Sequence, residues 1–85
     1  MNEVRVLGIL IPDRIKEAPA VQNLLTKYGC SIKTRIGLHE ASDTMCAVNG
    51  LILLELTGPQ AEWAKLEKEL NAINGVKVQK MSFEL

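Results

Sequence analysis

The stretch GLILLEL at residues 50–56 decides how this chain folds. Leu51 through Leu54 are four consecutive apolar residues, so an extended segment would be apolar on both faces, with Glu55 as its one charge. That is the pattern of a strand buried between neighbours rather than one lying at a sheet edge. A second stretch reads the same way: EVRVLGILI at residues 3–11 starts by alternating at Val4 and Val6, then becomes apolar on both sides. Two such strands in one short chain predict a sheet whose centre they share.

The segments around them supply the rest of the sheet and its cover. After Pro12 and Asp13 the apolar spacing becomes helical, with Ile15, Ala18, Val21, Leu24, Leu25 and Tyr28 on one stripe and Gly29 as the expected C-terminal cap. Pro19 conflicts with that helix, which predicts either a regular helix beginning near Ala18 or a distorted first turn. From Ser31 the period returns to two: Ile32, Thr34, Ile36 and Leu38 point one way, Lys33, Arg35 and Gly37 the other. Residues 39–48 carry turn-formers without a period and read as a loop. Thr57-Gly58-Pro59-Gln60 has the form of a capping box with proline in the first turn, and Trp63, Leu66, Leu70 and Ile73 follow at helical spacing. Asn74-Gly75 stops this helix, and residues 76–83 alternate with Lys77, Gln79 and Lys80 kept wet. The order βαββαβ, with strands one and three, which lack charge over most of their length, central, predicts an α+β, ferredoxin-like fold: a four-stranded antiparallel sheet ordered 4-1-3-2 with both helices on one face.

Two helices cover only one side of such a sheet. Leu7, Ile9 and Ile11, or their opposite-parity neighbours, together with Leu51–Leu54, must then leave an apolar strip on the other side. A homo-oligomer, dimer or tetramer, is therefore expected, formed by packing sheet on sheet or by joining edge strands.

Composition narrows the function classes. The 85 residues are 47% hydrophobic, and Ile, Leu and Val alone contribute 25 of them, which excludes a disordered chain and gives one domain's worth of core over residues 1–85. Ten basic and ten acidic side chains cancel to a formal charge of zero, and no run advertises a basic face for direct nucleic-acid binding. Aromatic platforms for RNA are missing from strands one and three: Tyr28 and Trp63 fall on helices and Phe83 near the end. The apolar run from Val6 to Ile11 is too short for a membrane span or an export signal, so a soluble, cytoplasmic protein is expected, with Cys30 and Cys46 as free thiols.

Candidate chemistry is sparse. His39 and Cys46 are the weak metal candidates, with Cys30, Glu40 and Asp43 nearby, but paired short spacings are absent and Cys30 reads as a small buried hydrophobe after a helix end. Ser42 and Asp43 lie too close to His39 in sequence for a triad, and Glu62, Glu67 and Glu69 sit among Lys65 and Lys68 where helical ion pairing explains them, so no enzyme is expected. The glycines are scattered singly, without a phosphate-binding loop. Arg35-Ile36-Gly37-Leu38-His39 reads as a charged edge strand with a bulge or bend at Gly37; alternatively Gly37 admits a ligand or a second backbone at a subunit boundary.

Several strings carry a resemblance: Ile11–Arg14, Val21-Gln22-Asn23-Leu24-Leu25, Ile36-Gly37-Leu38 after Arg35, Gly50-Leu51-Ile52-Leu53, and Ile73-Asn74-Gly75-Val76-Lys77-Val78. Together they resemble the iron-only hydrogenase system regulators, small stand-alone ACT-like domains similar also to the C-terminal domain of the nickel-responsive repressor. The resemblance spans nearly the whole chain and implies a regulatory, ligand-sensing module that oligomerises and holds a small molecule or metal at subunit interfaces. It points to Pro12, Asp13 and Arg14 after strand one of one subunit and to Gly37, Leu38 and His39 in strand two of a neighbouring subunit as candidate ligand-binding residues; ligand and cofactor stay unspecified. The nickel-repressor pattern needs more than one histidine, and only His39 with Cys46 stands in for it. No DNA-binding segment precedes strand one, so any effect on transcription is expected to pass through a partner protein. The alternative is an assembly or adaptor domain without a small-molecule ligand.

Overall fold

A computed structural model of the chain describes residues 2–38 and 50–85. The elements run β1 (Glu3–Ile11), α1 (Arg14–Lys27), a 3-10 turn (Gly29–Ser31), β2 (Ile32–Leu38), β3 (Gly50–Leu56), α2 (Gln60–Asn71) and β4 (Lys77–Glu84). The strands pair antiparallel in the order β2-β3-β1-β4, which is the expected 4-1-3-2 sheet read from its other edge. β1 and β3, which lack charge over most of their length, are central, where neighbours on both sides complete their backbone hydrogen bonds.

Parity divides β1 and β3 cleanly. Leu7, Ile9 and Ile11 of β1 and Ile52, Leu54 and Leu56 of β3 are buried with Val21 and Leu25 of α1 and Trp63, Leu66 and Leu70 of α2. Each such side chain contributes about 1.5–3 kcal/mol against the entropy of ordering it. The alternate residues lie on the opposite side: Val4, Val6 and Leu10 of β1 beside Leu51 and Leu53 of β3, with β4 adding Met81 and Phe83 through the pairs Val4–Phe83 and Val6–Met81. Among the described residues no helix covers that side, which gives the expected apolar strip its address.

Local chemistry departs from the sequence reading at five points. The helix α1 begins at Arg14 rather than near Ala18, with Pro19 inside it, because Asp13 caps it: Lys16 N–H donates to Asp13 Oδ1 (3.2 Å) and Glu17 N–H to Asp13 O (2.9 Å). Gly29 is not a left-handed cap; the helix end tightens into the 3-10 turn, where Ser31 N–H donates to Tyr28 O (2.9 Å) and takes over the terminal bonding. No capping box forms at α2. Gly58, at φ +77°, turns the chain so that Pro59 becomes the N-cap, and the Gln60 side chain reaches Glu3 Oε1 (3.1 Å) instead of folding back. The bulge in β2 falls between Ile32 and Thr34, not at Gly37, which stays in register with Ile52. That extra residue reverses the alternation, so Ile32 packs on the core while Thr34 and Ile36 align with Glu55 and Leu53 on the open side. Cys30 is an exposed free cysteine rather than a buried hydrophobe, because the 3-10 turn carries it outward.

Gly75 is left-handed at φ +87° and turns the chain out of α2 into β4, as its place after Asn74 predicts. No helix among the described residues is long and apolar enough to cross a membrane.

Candidate ligand site

Strand register brings the two candidate segments to one end of the sheet. Ile11 pairs with Gly50, and Leu10 and Leu38 both pair with Leu51, so the start of the β1–α1 connection and the end of β2 flank the first residues of β3. Two strand spacings, about 10 Å, separate them, a span that a small molecule or a residue from a second copy can bridge. Pro12 is exposed at this end, Asp13 is half-buried, and Arg14 opens α1. Gly37 is exposed, and a Cβ there would meet nothing within 4 Å, so its own chain does not require glycine at that position. His39 and Cys46 lie outside the described residues.

Asp13 is already engaged in capping α1 and holds a fixed orientation through Lys16 and Glu17. One turn further on, the same side of the helix carries Glu17, buried at 8% exposure against the turn at Gly75. A Cβ at Gly75 would stand 3.0 Å from Glu17 Oε2, so the glycine leaves the space this carboxylate occupies. Sequence reading passed over Glu17 because its stripe was anchored on Ile15 and Ala18; the i, i+4 series Asp13, Glu17, Val21, Leu25 was the available signal. Among the described residues no group of three or more His, Cys, Asp or Glu side chains is placed to hold a metal ion.

The other charged groups build structure. Arg5 donates to Glu3 (2.8 Å) and to Glu67 of α2 (3.0 Å) while lying 5.3 Å from the centre of the Trp63 ring. This joins β1 to α2, and Lys80 of β4 approaches Glu67 at 3.8 Å. Lys27 of α1 pairs with Glu69 of α2 (2.9 Å), Lys65 pairs with Glu62 one turn away (3.1 Å), and Arg35 of β2 hydrogen-bonds Gln22 of α1. The acids of α2 thus serve in ion pairs, but of the three, Glu62 pairs within the helix as the spacing predicts, whereas Glu67 and Glu69 reach across to β1, β4 and α1. The described apolar groove between the helices, lined by Ala20, Asn23, Leu24, Glu69, Ala72 and Ile73, encloses about 400 Å³ but gathers no reactive cluster.

Two of these carboxylates make stability depend on acid. The Ser82 hydroxyl, with Arg5 and Lys80, holds Glu3 below its ordinary 4.5, and the Tyr28 hydroxyl and then Lys27 do the same for Glu69. A carboxyl whose folded value is depressed stabilises the fold fully above 4.5 and loses that contribution as pH falls through the lowered folded value. The melting temperature is therefore expected to be level from pH 7 to about 5 and to fall below about 4.5. Ser82→Ala should flatten part of that acid limb, and an acid limb identical in wild type and Ser82→Ala would contradict the assignment for Glu3.

No family model and no curated protein matches the chain. Solved structures do. The fold is similar to that of the uncharacterized protein TM1266 from Thermotoga maritima, at 24% identity over 98% of this chain and 100% of that one, with a TM-score of 0.80. It is also similar to CPII, a nitrogen regulatory PII-like protein from Thiomonas intermedia K12 bound to ADP, AMP and bicarbonate: 15% identity, 99% of this chain, 96% of that chain, TM-score 0.57. A formyltetrahydrofolate deformylase from Pseudomonas putida KT2440 shares the fold over 92% of this chain but only 28% of its own, at 14% identity and a TM-score of 0.57. The likeness is one of fold. The ferredoxin-like architecture is shared with a small protein of nearly the same extent and with a PII-like regulator, and it recurs as a minor part of a larger enzyme.

Proposed function

We propose that residues 1–85 form one ACT-like, non-enzymatic regulatory domain of the cytoplasm that self-associates and binds a small molecule or metal at a subunit boundary. In the finer form of this reading the chain is a regulator linked to an iron-only hydrogenase system, acting without direct contact to nucleic acid. The observation that supports it is that Pro12, Asp13 and Arg14 lie at the same end of the sheet as Gly37 and Leu38, so a second copy docked at that end would bring its own β2 segment to the β1–α1 connection, the pairing the resemblance implies. His39, next in sequence, belongs to the same candidate set, and Cys46 joins it as a metal candidate. The architecture shared with a PII-like protein bound to ADP and AMP supports placing adenine nucleotides among the ligands to test.

Thermal-shift screening against amino acids, adenine nucleotides, and zinc, nickel and iron ions tests the proposal. A ligand at about 100 times its dissociation constant stabilises by about 2.7 kcal/mol. For a domain of this size that raises Tm by about 10–20 °C. Gly37→Val and His39→Ala should abolish the shift, and Gly37→Val should do so without lowering the ligand-free Tm by more than a few degrees, since a Cβ at Gly37 meets nothing within 4 Å. A shift that survives both substitutions would place the site elsewhere. Silence across the panel would favour the second reading, an assembly or adaptor domain, for which the uncovered apolar sheet face is the specific observation.

A further inference from the structure

One side of the sheet carries no helix among the described residues. Among the described residues, four of the five exposed large hydrophobics lie on that side by register: Leu10 (37%), Ile36 (49%), Met81 (55%) and Phe83 (54%), around a centre of Val6 and Leu53. Gly8 leaves a hollow of about 210 Å³ in that centre, with Val6, Leu53 and Met81 on its apolar walls and Gln79 and Lys80 of β4 on its outer side. A projecting apolar side chain is the complement of such a hollow, and the same face supplies several. Polar residues stand at the margin, with Thr34 and Glu55 at one end of the strands and Lys77 at the other. An apolar centre with a polar rim is the anatomy of a protein interface.

We infer that this face is covered by the same face of a second copy, sheet against sheet across a two-fold axis, rather than by joining edge strands. Size supports this occupant. Four strands about 4.8 Å apart and seven residues long present about 440 Å² of projected face, so a pair removes about 900 Å² before side-chain relief is added. That is close to the roughly 1,000 Å² at which a specific interface becomes stable. Charge supports it too. A two-fold axis across the strands reverses one copy against the other, so that each copy's Glu55, which its own Lys33 (3.8 Å) and Thr34 (3.1 Å) already partner, faces the partner's Lys77 end and the two acids stay apart. The formal charge of zero leaves no net repulsion between copies.

This deepens the proposed regulator by assigning its subunit boundary, and it rests on that reading only for self-association. Loss of every ligand response with the assembly intact would refute the regulator and leave the interface standing. Sedimentation equilibrium at micromolar concentration supplies the test. The wild type is expected at two or more times the chain mass of 9.4 kDa, and Leu53→Lys at half the wild-type value with its far-UV spectrum retained. Lys68→Glu, on the exposed outer side of α2, should leave the mass unchanged. If Leu53→Lys fails to fold, Met81→Lys, at a side chain that is already half exposed, must halve the mass instead. A wild-type monomer overturns the inference and leaves the face to segment 39–49 or to a different protein. A face variant that folds and keeps the wild-type mass also overturns it and moves the contact to the edges β2 and β4.

Discussion

Trp63→Ala is expected to destabilise the fold by about 3–5 kcal/mol, the range for removing a buried aromatic ring. A domain of 85 residues has about 4–13 kcal/mol in total, so much of its stability would go with this one side chain. Trp63 is 3% exposed, and its indole N–H donates to Thr57 O (2.8 Å), which fixes the turn leading into α2. On its outer side Arg5 lies over the ring, itself held by Glu3 and Glu67, so the ring is the surface on which β1's charged end is anchored to the helix. Trp63→Phe should cost only about 1–3 kcal/mol, since most of the apolar burial persists while the hydrogen bond is lost. A cycle pairing Arg5→Ala with Trp63→Ala should give a coupling of about 0.5–1 kcal/mol, the size of a partly exposed cation–π contact. Urea unfolding at one fixed protein concentration measures all of these, because association would otherwise shift the midpoint. A Trp63→Ala protein within about 1 kcal/mol of wild type would mean that this ring does not hold α2 to the sheet.

The signals that survived into the structure were those set by burial. Residues 50–56 and 3–11 are apolar at consecutive positions because each contributes one row to the helix-covered core and one to the open face, and no other placement in a four-stranded sheet satisfies both rows. Trp63, Leu66 and Leu70 were legible for the same reason. What failed was backbone detail decided by competition between neighbours. Thr57 and Gln60 have the residue types of a capping box, but the Thr57 amide is taken by Ser31 O (2.8 Å) and its carbonyl by Trp63, so the helix starts one residue after Pro59 instead. The β2 bulge was invisible because alternation from Ile32 to Leu38 looks unbroken in sequence; only the separate demands of the core on Ile32 and of Glu55 on Thr34, joined at 3.1 Å, introduce the extra residue. The candidate ligand site was legible only as position. Its two segments share one end of a single sheet, whereas the resemblance pairs them across subunits; Asp13 is a helix cap, and Glu17, the buried acid at that end, carries no motif that would mark it.

Gly75→Ala is expected to cost about 2–3 kcal/mol from two separable causes. The first is backbone: a φ of +87° is unfavourable for any L side chain, by about 1–2 kcal/mol. The second is contact, because the new methyl would sit 3.0 Å from Glu17 Oε2 and 3.4 Å from Oε1, against a side chain whose burial restricts its retreat. Gly58 separates the two. Its φ of +77° is similar, yet a Cβ there would approach nothing nearer than Cys30 O at 4.0 Å, so Gly58→Ala should cost only the backbone part. Chemical unfolding should therefore rank Gly75→Ala below Gly58→Ala by roughly 1 kcal/mol, the scale of overpacking a tight site. In the background of Glu17→Ala, where the obstructing carboxylate is gone, the Gly75 substitution should fall to the cost of the Gly58 one. Equal losses at the two glycines would show that Glu17 yields freely. The turn from α2 into β4 would then need glycine for its dihedral angle alone, and the buried carboxylate would owe its place to the packing of α1 rather than to the space left at Gly75.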